Sequence, residues 1–308
     1  IQIGLWQLLP VTVVYPLMVA SRCVFALFGS GTGPASQAYI ADRTSRAERT
    51  AGVALVSAAI GVGQMVGPAI GGGVALVGML APIYLAAALA VASAISIWFF
   101  LPEHEPPSGQ QRAQAATLSF RDRRILPFLL VATALQAVNA TTTITLAFFL
   151  QDTLGLDSHA TVQYASAAFV VLAVAGLLAQ LGIVQRYKPS PRAMIHSGIL
   201  LCFAGSVGLA TRAGFTVYVV ALMLLGLGFG LLRPGAAAGA SLAVPAEDQG
   251  SVAGLTNAIG VLGNVFGPML GTTLYTLTPI APAVLNAVLM TLALVLVSTN
   301  RQVRASRA

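Results

Sequence analysis

Two arginines fall where arginines are rare. Arg22 and Arg233 lie inside long apolar runs, in a chain with 16 Lys and Arg against 9 Asp and Glu. A charge at such depth is costly and normally faces a cavity or a partner group. Two readings stand for Arg22: a charge facing a cavity, or a side chain snorkelling to an interface from near the start of its run. Arg233, followed by Pro234, is deeper and reads as a contact for a substrate or a counter-ion. Gln136 and Asn139 are three apart in another apolar run, so a helix sets both amides on one face. There they can bond a ligand or a neighbouring helix. Carboxylates avoid mid-run positions altogether, and Asp42 stands at the end of one run, beside Arg43, Arg46 and Arg49.

Other chemistries find no support. The only lysine, Lys188, follows no glycine-rich phosphate loop. His104, His159 and His196 are scattered, without metal-ligand spacing. Cys23 and Cys202 sit in apolar runs and read as small packing residues. The expectation is therefore no enzyme, no cofactor and no metal.

The elements that must position these residues are transmembrane helices. The chain of 308 residues is 57% apolar and only 8% charged, with mean hydropathy +0.85. A soluble domain carries roughly a quarter charged residues. The apolar runs, rich in Ala, Leu and Gly, are too long for the alternating strands of a barrel. Nine full spans are expected, at 13–41, 51–77, 82–101, 126–150, 162–185, 193–211, 215–243, 252–275 and 280–298, with a partial span before Pro10. The long polar stretch 102–124 reads as a linker.

One span carries a pattern. Gly63, Gly67 and Gly71 recur every fourth residue, with Pro68 and Gly72 beside them. Such a strip lets another helix approach closely. A second copy, Gly263, Gly267, Pro268 and Gly271, repeats the first at a constant offset of 200 positions, and Pro34 and Pro234 share that offset. The repeat implies two homologous halves.

This glycine-proline pattern resembles the antiporter motif in the fifth helix of major facilitator superfamily drug:proton antiporters, G-x8-G-x3-G-P-x2-G-G. Ala54 replaces its first glycine, and the second copy has Gly254 there but Thr272 in the last place. Ala38-Tyr39-Ile40-Ala41-Asp42, with Glu48-Arg49, is similar to the end of the fourth helix in tetracycline-type efflux pumps. The resemblance implies an all-α membrane protein with two pseudo-symmetric bundles. Residues 1–101 would be the remainder of the N-terminal bundle, 102–124 a cytoplasmic linker and 125–308 the C-terminal bundle. Counting back along a twelve-helix fold, the first two helices and most of the third would precede Ile1.

It also implies function. The expected activity is proton-coupled efflux of small amphipathic compounds by alternating access, with a metabolite uniporter or symporter, or a transport-inactive sensor or scaffold, as the alternatives. Helices one, four, seven and ten line the family's cavity, which makes Gln136, Asn139 and Arg233 candidates for substrate binding. Arg22 stands where the family has an arginine linked to proton coupling, although Ala26 replaces the glycine that follows it there. Asp42 is the candidate for proton coupling or gating, while the acid needed for coupling can also lie in helices before Ile1. The glycine strips would be close-packed helix surfaces. Expected partners are a small-molecule substrate, protons and the lipid bilayer, with the chain a monomer.

Loop charges give the orientation. Thirteen Arg and Lys residues in 42–50, 102–124, 186–192 and 301–308 fall on one side of alternating spans, against Arg212 on the other. The positive-inside rule sets those segments and the C-terminus in the cytoplasm, at a bacterial-type inner membrane. No nucleic-acid role is needed for the basic charge.

Overall fold

The computed structural model describes residues 10–29, 71–75, 80–101, 118–245 and 248–300, with isolated positions between 32 and 78; side chains at 11, 249, 250, 253 and 257 are excepted. Every element among them is helical. Contacts divide the chain into two compact units, Ile1–Gly67 and Pro68–Ala308.

The first unit contains α1, Val11–Gly29, with Pro16 inside it. The second begins with helical residues 70–75 at its edge and continues through α2, Ala81–Phe100. Then come α3 (Leu126–Leu154), α4 (Ser158–Tyr187), α5 (Pro191–Ala210) and α6 (Phe215–Leu242). The last two are α7 (Gln249–Tyr275) and α8 (Ala281–Thr299).

Local chemistry sets the ends of these helices. Pro127 stands in the first turn of α3, where its missing N–H costs nothing. Gly155, at φ 64°, closes the same helix by sending its N–H back to the Gln151 carbonyl. Two residues on, the Asp157 carboxylate caps α4 by accepting from the Ala160 N–H at 2.7 Å. Ser190 caps α5 in the same way through Ala193, with Pro191 next. Within α4, residues Leu178–Val184 widen into a π-helical stretch.

Seven of the helices among the described residues are long and apolar enough to cross a membrane: α1 to α6 and α8. Glycine, asparagine and threonine make α7 less apolar, although it has the length, 27 residues. The expected span 51–77 lies largely outside the described residues.

Six helices, α3 to α8, surround one core. It contains Phe128, Leu129, Ile195, Ile199, Leu222, Leu225, Leu232 and Met290. In this core α6 packs on α5 and α4, and α3 packs on α7 and α8. Much of the intimacy comes from glycines on α6. A Cβ at Gly228 would stand 2.5 Å from the Cys202 sulfur, and one at Gly230 would meet the Gly176 carbonyl. Small residues thus face α4 and α5 from two sides of one helix, the packing by which membrane helices gain contact without a hydrophobic drive.

Candidate functional site

Two of the residues singled out from sequence meet. The Arg233 guanidinium of α6 donates to Oε1 of Gln136 on α3 at 2.7 Å, in a part-buried setting. Arginine only donates, so the arginine fixes which end of the Gln136 amide faces it. The amide nitrogen is thereby turned away from the guanidinium. Asn139 lies three residues further along α3, partly buried, with its backbone carbonyl accepting from Thr143 Oγ1 at 2.8 Å.

The second glycine strip lies directly behind this pair. Gly263, Gly267 and Gly271 are all buried. A Cβ on Gly263 would stand 2.6 Å from the Thr133 carbonyl oxygen and 2.7 Å from the Gln136 Cβ. One on Gly267 would stand 2.6 Å from the Ala137 carbonyl, and one on Gly271 would stand 2.7 Å from the Thr141 methyl. Four-residue spacing on α7 therefore meets four-residue spacing on α3, backbone against backbone. Thr141 Oγ1 donates across this contact to the Gly267 carbonyl at 2.8 Å. Pro268 is partly buried, and Asn264 is exposed.

The first strip has fewer described contacts. Gly63 and Gly67, in the first unit, are exposed, and Pro68 lies outside the described residues. Gly71 has no atom within 4 Å of a built Cβ, among the described residues. Gly72 is different: its carbonyl accepts from Ser166 Oγ of α4 at 2.8 Å, and a Cβ there would meet that hydroxyl at 2.9 Å.

Arg22, on α1, is exposed and lies over the ring of Phe25, its guanidinium carbon 5.5 Å from the centroid. Asp42 lies outside the described residues. Among the described residues no group of three or more His, Cys, Asp or Glu is placed to hold a metal.

Sequence reasoning missed two features. The first is the glycine set of α6, where Gly226 and Gly230 repeat the four-residue spacing and both meet α4, a signal present in the sequence. The second is Asn286, an amide alone within the last apolar run, which is 2% exposed and donates to Thr142 Oγ1 at 3.1 Å. Its isolation among apolar residues was the available signal.

Comparison with known proteins adds kinship. The Major Facilitator Superfamily profile matches residues 2–268 and again 183–307. Multidrug resistance protein 2 of Bacillus subtilis (strain 168) is 30% identical over 79% of this chain and 62% of its own length. The class D tetracycline resistance protein of Salmonella ordonez is 28% identical over 84% of this chain and 67% of its own. The class C protein of Escherichia coli is 27% identical over 88% and 69%. The chain thus spans roughly two thirds of the length of these relatives. A crystal structure of a mutant peptide transporter POT superposes with TM-score 0.50 at 19% identity, over 63% of this chain and 42% of that one. That likeness concerns the fold alone.

Proposed function

Since the chain belongs to the major facilitator superfamily, we propose that it works in a secondary active transporter exporting small amphipathic compounds in exchange for protons. Alternating access would come from two pseudo-symmetric bundles, 125–308 being the C-terminal one, rocking about a site near mid-membrane. The observation that carries this reading is the Arg233–Gln136 hydrogen bond between two helices long and apolar enough to cross a membrane. Relatives named for multidrug and tetracycline resistance set its direction toward efflux.

The chemistry of the pair suggests what is recognised. With its oxygen engaged by Arg233, Gln136 offers the cavity an N–H donor, and Asn139 lies on the same face one turn away. A carbonyl or another acceptor on the substrate is the complementary group. Arg22 and Asp42 remain the proposed coupling or gating residues. The glycine-proline strips would be surfaces that slide or seal as the bundles rock. Normal transport after Gly67→Leu or Gly267→Leu would sink that part of the reading. The basic loops and the C-terminus would face the cytoplasm at the inner membrane, and the working unit would be a monomer.

A second reading is favoured by one observation. Among the described residues, Asp122, Asp152, Asp157 and Asp248 lie at or beyond helix ends, and none lies at mid-span. A metabolite uniporter or symporter needs no buried acid, and a transport-inactive sensor needs no coupling group. The test is accumulation of a fluorescent drug in efflux-deficient cells expressing the protein, with and without an uncoupler. Efflux that collapses with the proton gradient supports the antiporter. Gradient-independent flux supports a uniporter, and no flux leaves the sensor.

A further inference from the structure

Away from the Arg233–Gln136 pair, a second polar site lies among α3, α5 and α8. A small cavity of about 20 Å³ is lined there by Thr142, Thr145, Leu146, Phe149, Asn286 and neighbouring apolar groups. Asn286 is 2% exposed; its Nδ2 donates to Thr142 Oγ1 at 3.1 Å, while its Oδ1 has no partner. Turning the amide end for end gives no relief, because Nδ2 would then be the orphan. A buried polar atom without a partner is rare and calls for an explanation.

The lining supplies one. Thr142 Oγ1 accepts from Asn286, which leaves its own proton to give. Thr145 Oγ1 donates to the Thr141 carbonyl at 2.8 Å and keeps acceptor capacity. Three polar groups with complementary needs therefore border one space. A cavity needs about 10–15 Å³ of this kind of volume, and two to four polar partners, to hold a water. We propose that a single water molecule resides here, donating to Asn286 Oδ1 and Thr145 Oγ1 and accepting from the Thr142 hydroxyl. Leu146, Phe149, Leu209 and Ala283 wall the rest.

The site has a structural consequence. Thr141 binds α7 through Gly267, and the next residue, Thr142, binds α8 through Asn286 and the water. Adjacent hydroxyls thus hold α3 on two sides, Thr141 against α7 and Thr142 against α8, and the water adds a second link on the α8 side. A water-mediated bond is nearly as good in enthalpy as a direct one.

Hydroxyl-radical footprinting of the protein in membranes, with radicals generated from water by X-rays and read by mass spectrometry, tests the proposal. Phe149 is only 5% exposed, and Phe128, at 1%, is a buried comparator of the same residue type. A resident water predicts modification of Phe149 about tenfold faster than of Phe128, a residue of the same intrinsic reactivity, since the radical forms beside the ring. Equal rates overturn the proposal. Asn286→Leu combined with Thr142→Val replaces the amide and the hydroxyl by apolar groups of nearly the same shape, leaves Thr145 as the one hydroxyl of the three, and should lower labelling to the level of Phe128 with the remaining footprint unchanged. If that variant does not fold, Asn286→Leu alone, which removes the acceptor that lacks a protein partner, should lower the labelling of Phe149 severalfold. Labelling that persists in a folded variant also overturns it.

Discussion

The Arg233 guanidinium and the Gln136 side-chain carbonyl, 97 positions apart in sequence, lie 2.7 Å apart between α6 and α3. A hydrogen bond to a charged group contributes roughly 1.5–3 kcal/mol, more when its loss strands a charge. If this pair binds substrate, Gln136→Leu should weaken drug binding by roughly tenfold to a hundredfold. Gln136→Glu separates binding from folding. It keeps an acceptor for Arg233 but loses the N–H donor, so thermal stability should hold while affinity for a carbonyl-bearing drug falls. Ligand-induced fluorescence quenching and a melting curve, measured on the same detergent samples, check both. Undiminished affinity in both variants would remove Gln136 from the site.

The residues of this pair, but not their meeting, were legible in the sequence. Apolar runs marked the spans, because a bilayer demands about 20 apolar residues and permits few charges. Arg233 and Gln136 stood out within them as exceptions. Which exception touches which depends on how helices rotate about their axes, and apolar runs in lipid carry little of that information: α3 has polar and apolar residues on all sides. The glycine strip of α7 was visible as a repeat, but its partner, the Thr133–Ala137–Thr141 edge of α3, was not. That edge has no distinctive residue type. Its role follows from backbone proximity, which any small side chain permits.

The start of α3 gives a pH prediction. Arg124 donates to the Asp122 carboxylate at 2.7 Å, and its backbone N–H donates to the same group at 2.9 Å. The Arg124 side chain, then its backbone N–H, hold the Asp122 carboxyl below the usual carboxylate range. A carboxyl with a lowered folded-state pKa stabilises the fold above its unfolded value. That contribution is lost as pH falls through the folded value. Melting temperatures should therefore fall below about pH 4 more steeply in the native protein than in Asp122→Asn. The pair is exposed, so the difference should be small and should shrink further in high salt. Identical acid profiles for the two proteins would exclude the effect.

Where α3 and α7 end together, Tyr275 Oη donates to Asp152 Oδ2 at 2.5 Å. The tyrosine ring also lies 6.4 Å, centroid to centroid, from Phe148. Tyr275→Phe keeps the ring contact and removes the hydroxyl, which isolates the hydrogen bond. Because the bond is exposed to its surroundings, its loss should cost about 1 kcal/mol, or roughly 2–4 °C in melting temperature. Asp152→Asn should cost a similar amount. The double variant should cost little more than either single one, because both remove the same interaction. Simple additivity would show that the two side chains act separately.

The glycine strip makes the sharpest contrast within one helix. Gly267 and Gly254 are both helical residues of α7, and alanine is the better helix former by about 0.8–1 kcal/mol. At Gly254 a new Cβ meets nothing within 4 Å among the described residues, so Gly254→Ala should stabilise the protein by close to that amount. At Gly267 the same Cβ would stand 2.6 Å from the Ala137 carbonyl oxygen and 3.0 Å from its Cα. Both atoms belong to backbone and cannot swing aside. The helices must part, at the expense of the Thr141–Gly267 hydrogen bond as well. Overpacking of this kind typically costs about 1–3 kcal/mol, which exceeds the gain in propensity. Opposite shifts in melting temperature, up for Gly254→Ala and down for Gly267→Ala, are therefore expected from one chemical change. Two upward shifts would mean that α7 does not pack on α3 through this strip. Then the four-residue repeat would have to face a different helix.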